Sequence, residues 1–206
     1  MTKKIDHNKL LTKIAKARFK QTGIKQKGQS RTFLQDNFWF TTLIEFQPSS
    51  HDKGTYLNIG ADFNFFPRSH FAFSYGYREK QFENFKDEKQ FEDIVNGFCD
   101  FALTRASEIK SQLHDYKNAA IILKDSFDKD NTWQNFDLAI IIALSGDKAN
   151  AKSILEKVIS ENCTYDWEIE RQNFSIKLID WIEHNCFDEK IKVQISLTRR
   201  LKKLDK

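Results

Sequence analysis

The chain has 206 residues, 40% of them hydrophobic and 14% aromatic, with 19 Phe against a single Met; disordered chains are poor in aromatics, so this one folds. A net charge of +4 hides a strong asymmetry: residues 1–31 hold ten Lys/Arg against one acid, residues 190–206 hold seven against one, and the segment between carries −11. Such segregation suggests an acidic protein or a nucleic acid as partner, while a membrane span is excluded because no apolar run nears the ~18 residues that cross a bilayer.

In chain order, the N-terminus opens Met1-Thr2-Lys3-Lys4 with charges where a signal peptide has an apolar stretch. Segment 5–20 predicts an amphipathic helix: Leu10, Leu11, Ile14, Ala15 and Phe19 recur at three- and four-residue spacing, with Lys9, Lys13, Lys16 and Lys20 opposite. Gly23 is placed to end it. From there to about residue 78 the period becomes two. Phe38, Phe40, Thr42, Ile44 and Phe46 alternate with Trp39, Thr41, Leu43, Glu45 and Gln47; Leu57, Ile59, Ala61 and Phe63 alternate with Tyr56, Asn58, Gly60 and Asp62; Phe71, Phe73, Tyr75 and Tyr77 do the same. Alternation of this length marks half-buried strands. The polar turns around Pro48-Ser49-Ser50 and Pro67-Arg68-Ser69 imply antiparallel pairing. With a strand or hairpin near 24–35, the sheet has about four strands.

The helical period returns at 87–114, where Phe91, Ile94, Val95, Phe98, Ala102, Arg105 and Ile109 line one face. A short helix is expected at 117–124 and a helix hairpin over 133–160, broken at Ser145-Gly146-Asp147. Further helices follow at 166–185 and, with a basic character, at 190–204. The hairpin resembles one tetratricopeptide-type unit, but no second copy appears at that period. The expected class is therefore α+β: an antiparallel sheet domain over 1–116 backed by helices, and a helical portion over 117–206 packed on the same body.

The segment Gly23-Ile24-Lys25-Gln26-Lys27-Gly28-Gln29-Ser30-Arg31-Thr32-Phe33 follows a helix. It precedes Ile44-Glu45-Phe46-Gln47-Pro48-Ser49-Ser50 and Tyr56-Leu57-Asn58-Ile59-Gly60-Ala61-Asp62-Phe63. Over residues 5–115 this order resembles the bacterial family catalogued as "domain of unknown function 4304", although Ile24 stands where that pattern has Phe and the turn is less lysine-rich. The resemblance implies a fold and an immunity-like role. It lends no catalytic residue.

The chemistry-bearing residues are dispersed. The histidines at 7, 51, 70, 114 and 184 form no His-x-His or His-Glu-x-x-His pair, and the glycine patterns that cradle phosphates are missing. Asp180 and His184 share a helix face near Cys186, which reads as a surface pair rather than as metal ligands. Cys99, beside Phe98, reads as core. Cys99, Cys163 and Cys186 are an odd, widely spaced set that predicts reduced thiols and a cytoplasmic location. The aromatics from Phe63 to Tyr77 carry no complete RNA-recognition signature and read as packing. No catalytic residue, cofactor or metal is assigned. The basic turn around Lys25, Lys27 and Arg31 is a candidate anion-binding site. The sequence thus points to a non-enzymatic protein-interaction module, with a nucleic-acid-associated protein using its basic termini, or an enzyme with a dispersed site, as alternatives.

Overall fold

Asp6 opens the first helix by accepting hydrogen bonds from the backbone N–H groups of Asn8 and Lys9, at 3.0 and 3.4 Å, which satisfies donors that a helix start leaves orphaned. The computed structural model describes residues 6–204, so Ile5, the expected first residue of this helix, and the charged start of the chain lie outside the described residues. The helix, α1 (His7–Phe19), buries Leu10, Leu11, Ala15 and Phe19.

Five strands follow, β1 (Lys25–Gln26), β2 (Thr32–Asp36), β3 (Phe40–Gln47), β4 (Gly54–Phe63) and β5 (Tyr75–Asn84), in one antiparallel sheet ordered as in the chain. The count exceeds the expected four because 24–35 is a hairpin of two short strands, with Lys25 opposite Leu34 and Gln26 opposite Phe33. The fold class is α+β, as the periodicities predict.

Two details depart from the expected pattern. The strand predicted over 71–77 begins only at Tyr75 and runs on to Asn84. Phe71 and Phe73 precede it in a segment that belongs to the helical unit, so their alternation is not that of a strand. Second, β3 and β4 are buried along almost their whole length rather than on one side. Their second face carries Leu43 and Gly60 as well as polar residues, so it is not a solvated face.

The described residues divide into two compact units. The first holds the chain up to Asp62 and Tyr75–Lys110. In it Phe19 of α1 meets Phe33 of β2 edge-on at 5.1 Å, and Phe33 meets Phe46 of β3 at 5.9 Å. Each buried Phe contributes about 1.5–3 kcal/mol, with about 0.5–1.5 kcal/mol more for a favourable ring pair. Helix α2 (Glu88–Gln112) lies over the same face, since Lys80, paired with Leu57 across β4–β5, sits 3.8 Å from the centre of the Phe101 ring. A bulge between Leu57 and Asn58 leaves Glu79 as the extra residue of β5, and it accepts a 2.8 Å bond from Arg105 Nε.

The opposite face holds a polar ladder. Asn58, with no exposed surface, donates to Glu45 Oε2 at 2.7 Å and Gln47 Oε1 at 2.9 Å and accepts from Arg78 Nε at 2.8 Å. Arg78 lies 3.9 Å over the ring of Tyr56. A buried amide is tolerated here because its donors and its acceptor all find partners.

The second unit holds Phe63–Ser74 and the chain from Ser111 on. Its helices α3 (Tyr116–Ser126), α4 (Thr132–Leu144), α5 (Lys148–Ser160), α6 (Asp166–Glu183) and α7 (Phe187–Leu201) pack each on the next in chain order. Helix α4 is buried from Phe136 to Ala143. Phe66 is the hub of the core, edge-on to Trp133, Phe136 and Phe174 at 5.3, 5.9 and 5.7 Å. Thr198 of α7 donates to Phe66 O, and Lys202 Nζ donates to Asn64 Oδ1 at 2.9 Å. Among the described residues no helix is long and apolar enough to cross a membrane.

Candidate functional site

The wall of the site is the β1–β2 turn, held rigid by its own bonds. Lys27 N–H donates to Thr32 O and Ser30 N–H to Lys27 O, at 2.9 and 3.0 Å. Ser30 Oγ donates to Lys27 O at 2.7 Å and accepts from Thr32 N–H, and Gln26 Nε2 donates to Ser30 O. Gly28 takes φ +57°, the left-handed conformation that costs a glycine little.

Facing this turn is the polar flank of α1. Residues three and four apart share a helix face, so Lys9, Lys13 and Lys16 stand in one row with Asn8 and Thr12 beside them. Between helix and turn runs an open groove of about 810 Å³, lined by Asn8, Lys9, Thr12, Lys13, Lys16, Gln26, Gln29, Ser30, Arg31 and Pro48. Among the described residues its lining includes four cations and no carboxylate. Lys9 lies 4.0 Å from Asp6 in a pair so exposed that it is worth little. Neither Lys13 nor Lys16 makes an ion pair among the described residues.

Arg31 closes one end. Its Nη1 donates to Asn8 Oδ1 at 2.8 Å and its Nη2 to Gly54 O at 3.1 Å, which ties the turn to the first turn of α1 and to β4. Both acceptors are neutral, and Nε is buried without a partner. Burial pulls the guanidinium down to about 10, against an upward influence from Glu45. The side chain is therefore positioned by hydrogen bonds to neutral groups, and among the described residues no carboxylate makes an ion pair with it, Glu45 acting on its charge without one. Such an arrangement attracts an anion.

Of the three candidates named from the sequence, Arg31 lines the groove. Lys25, exposed on β1, and Lys27, exposed in the turn, are not among its lining residues. Lys9, Lys13 and Lys16 read from the sequence as a solvated helix face. The signal that could have found them is their common spacing beside a short basic hairpin, because a helix joined to a tight hairpin by a short connection brings its flank alongside the turn.

The other candidates behave as isolated groups. Asp180 Oδ1 and His184 Nδ1 lie 3.1 Å apart, both well exposed, and the imidazole pKa is raised by its bond to the Asp180 backbone and then by the Asp180 charge. Cys186 stands just before α7 without a side-chain capping bond, and among the described residues no group of three or more His, Cys, Asp or Glu could hold a metal ion. Cys99 is fully buried, and burial pushes its thiol up to about 12, away from the thiolate that a nucleophile needs. No family model, no curated protein and no solved structure matches the chain.

Proposed function

We propose that the chain is a non-enzymatic protein-interaction module, immunity-like in kind, whose basic groove takes up an acidic segment of a partner protein. The observation that carries this reading is the row of Lys9, Lys13 and Lys16 set against Arg31 with no carboxylate among the lining residues. A concave surface of one sign focuses its field and speeds the encounter with an oppositely charged partner. The resemblance to the "domain of unknown function 4304" family is in keeping with this reading, since it implies an immunity-like role and lends no catalytic residue. The reading sets the protein in the cytoplasm, where its three free thiols would stay reduced.

A nucleic-acid partner has less behind it. Groove binding of single strands relies on aromatic side chains for base stacking, and among the described residues the groove lining contains none. Part of the basic C-terminal segment is also spent internally, because Lys202, just past α7, is buried against Asn64 and the Phe71 ring.

The test compares proteins recovered from the native host by the wild-type chain and by a Lys13→Glu/Lys16→Glu variant. An acidic protein retained by the first and lost from the second is the expected outcome. Recovery of the same proteins by both, or of none by either, would overturn the reading.

A further inference from the structure

We infer that the Arg31 end of the groove is a seat for a phosphoryl group, so that the groove selects phosphate-bearing ligands over ligands that are merely acidic. This deepens the reading above and rests on it.

The first support is the charge supply. Lys9 to Lys16 spans seven residues of helix, about 10 Å at 1.5 Å per residue, and Arg31 adds a fourth cation beside them. A carboxylate brings one charge and two oxygens. A phosphoryl group brings about −1.5 to −2 and three strong acceptor oxygens, which matches four cations within so short a span far better. The second support is the state of Arg31. Asn8 and Gly54 O fix its plane through two of its five N–H groups, and neither partner neutralises it. A guanidinium held in place loses little entropy when it meets a tetrahedral oxyanion, and its fork suits phosphate geometry. The third support is the wall chemistry, since Thr12 and Gln29 add neutral donors beside the lysine row. The absence of an aromatic from the lining argues against a nucleotide base as part of the recognised group.

The phosphoryl group could arrive on a phosphorylated partner segment or as a free small oligophosphate. The shared chemistry is the claim, and the experiment separates the sources. The full chain is titrated calorimetrically at constant ionic strength with pyrophosphate and with succinate. It is also titrated with a phosphoserine peptide and the same peptide carrying glutamate in place of phosphoserine. Saturable pyrophosphate binding at least about tenfold tighter than succinate is expected, the effect of one charge-assisted bond pair. Arg31→Gln and Lys13→Gln should each weaken pyrophosphate binding about tenfold or more, while Lys110→Gln, at the end of α2 remote from the Phe91 that meets His7, should leave it within about twofold. Lys13 is exposed and makes no ion pair among the described residues, so its variant keeps the test valid even if Arg31→Gln unfolds the turn. A phosphopeptide preferred over its glutamate form supports the seat and assigns it to a protein partner. Pyrophosphate binding without that preference supports the seat and assigns it to a free oligophosphate.

Equal affinity for pyrophosphate and succinate, no saturation, or indifference to Lys13→Gln would overturn the inference. If an acidic partner were captured through the groove lysines while pyrophosphate failed to compete, the phosphate seat would fall and the interaction reading would stand.

Discussion

Replacing Asn58 by Asp exchanges one NH2 for an oxygen in a side chain with no exposed surface. The change turns two donated hydrogen bonds, 2.7 Å to Glu45 Oε2 and 2.9 Å to Gln47 Oε1, into oxygen–oxygen contacts without a proton. Gln47 Oε1 keeps its 2.7 Å bond from Arg78 Nη2, so Glu45 Oε2 is the acceptor left short of a donor; that costs about 1–3 kcal/mol, at the low end because Glu45 is only half-buried. Repulsion between the new carboxylate and Glu45 adds about 1–2 kcal/mol after relaxation. The bond from Arg78 Nε, already charge-assisted by the guanidinium, becomes an ion pair and returns about 1 kcal/mol. The net expectation is a loss of about 1–2 kcal/mol, or a melting midpoint lowered by about 2–8 °C for a chain of this size. Differential scanning calorimetry of the two proteins reads it. The sign of the pH dependence is fixed too. The folded state disfavours the charged form of the introduced carboxyl, whose pKa is thereby raised, so protonation restores a donor and the deficit narrows as pH falls towards about 4. A loss below about 0.5 kcal/mol, the scale of an ordinary surface change, or a deficit that does not narrow with acid, would refute the ladder.

Four further outcomes follow from the same structure. Gly76 stands at φ +74° opposite Gly60, where an added Cβ would lie 2.7 Å from Ile59 O; Gly76→Ala should cost at least about 1–3 kcal/mol, read as a lower urea midpoint. Phe66→Ala removes the hub of the helical unit and should cost about 3–5 kcal/mol, with loss of the near-ultraviolet dichroism of Trp133. In the folded chain a thiol reagent at pH 8 should modify Cys163 and Cys186 and spare Cys99, and modification of Cys99 without unfolding would contradict its burial. The pKa of His7 is lowered, first by burial and then by Arg31, with Lys53 acting the same way and Asp6 opposing. The unfolded chain therefore binds the His7 proton first, and stability should fall as pH drops through the unfolded value near 6.5 towards the lower folded one; His7→Asn should remove that part of the slope.

Much of the fold was legible because periodicity reports local geometry directly. The three- and four-residue spacing of Leu11, Ala15 and Phe19 and of Phe91, Val95 and Phe98 places both helices on their buried faces, and the alternation in 38–47 and 55–63 gives β3 and β4. Periodicity was silent where packing came from far along the chain. Phe71 and Phe73 alternate like strand residues yet stand outside the sheet, because Phe63–Ser74 belongs to the helical unit. The alternation sets Asn58 on the polar side of its strand, and only the partners across β3 and β5 explain its burial. At the groove, the sequence marked Arg31 but spread the remaining charge over the turn. The opposing lysines of α1 could not be assigned to it without knowing which flank of the helix the hairpin folds against.

The most direct measurement of the groove is lysine footprinting with an amine-reactive acetylating reagent, in the presence and absence of a polyglutamate chain standing in for an acidic partner. Protection of Lys13 and Lys16, with Lys25 and Lys190 modified at unchanged rates, is the predicted result. Uniform modification of all four, or protection centred on Lys190 in the C-terminal helix, would contradict it.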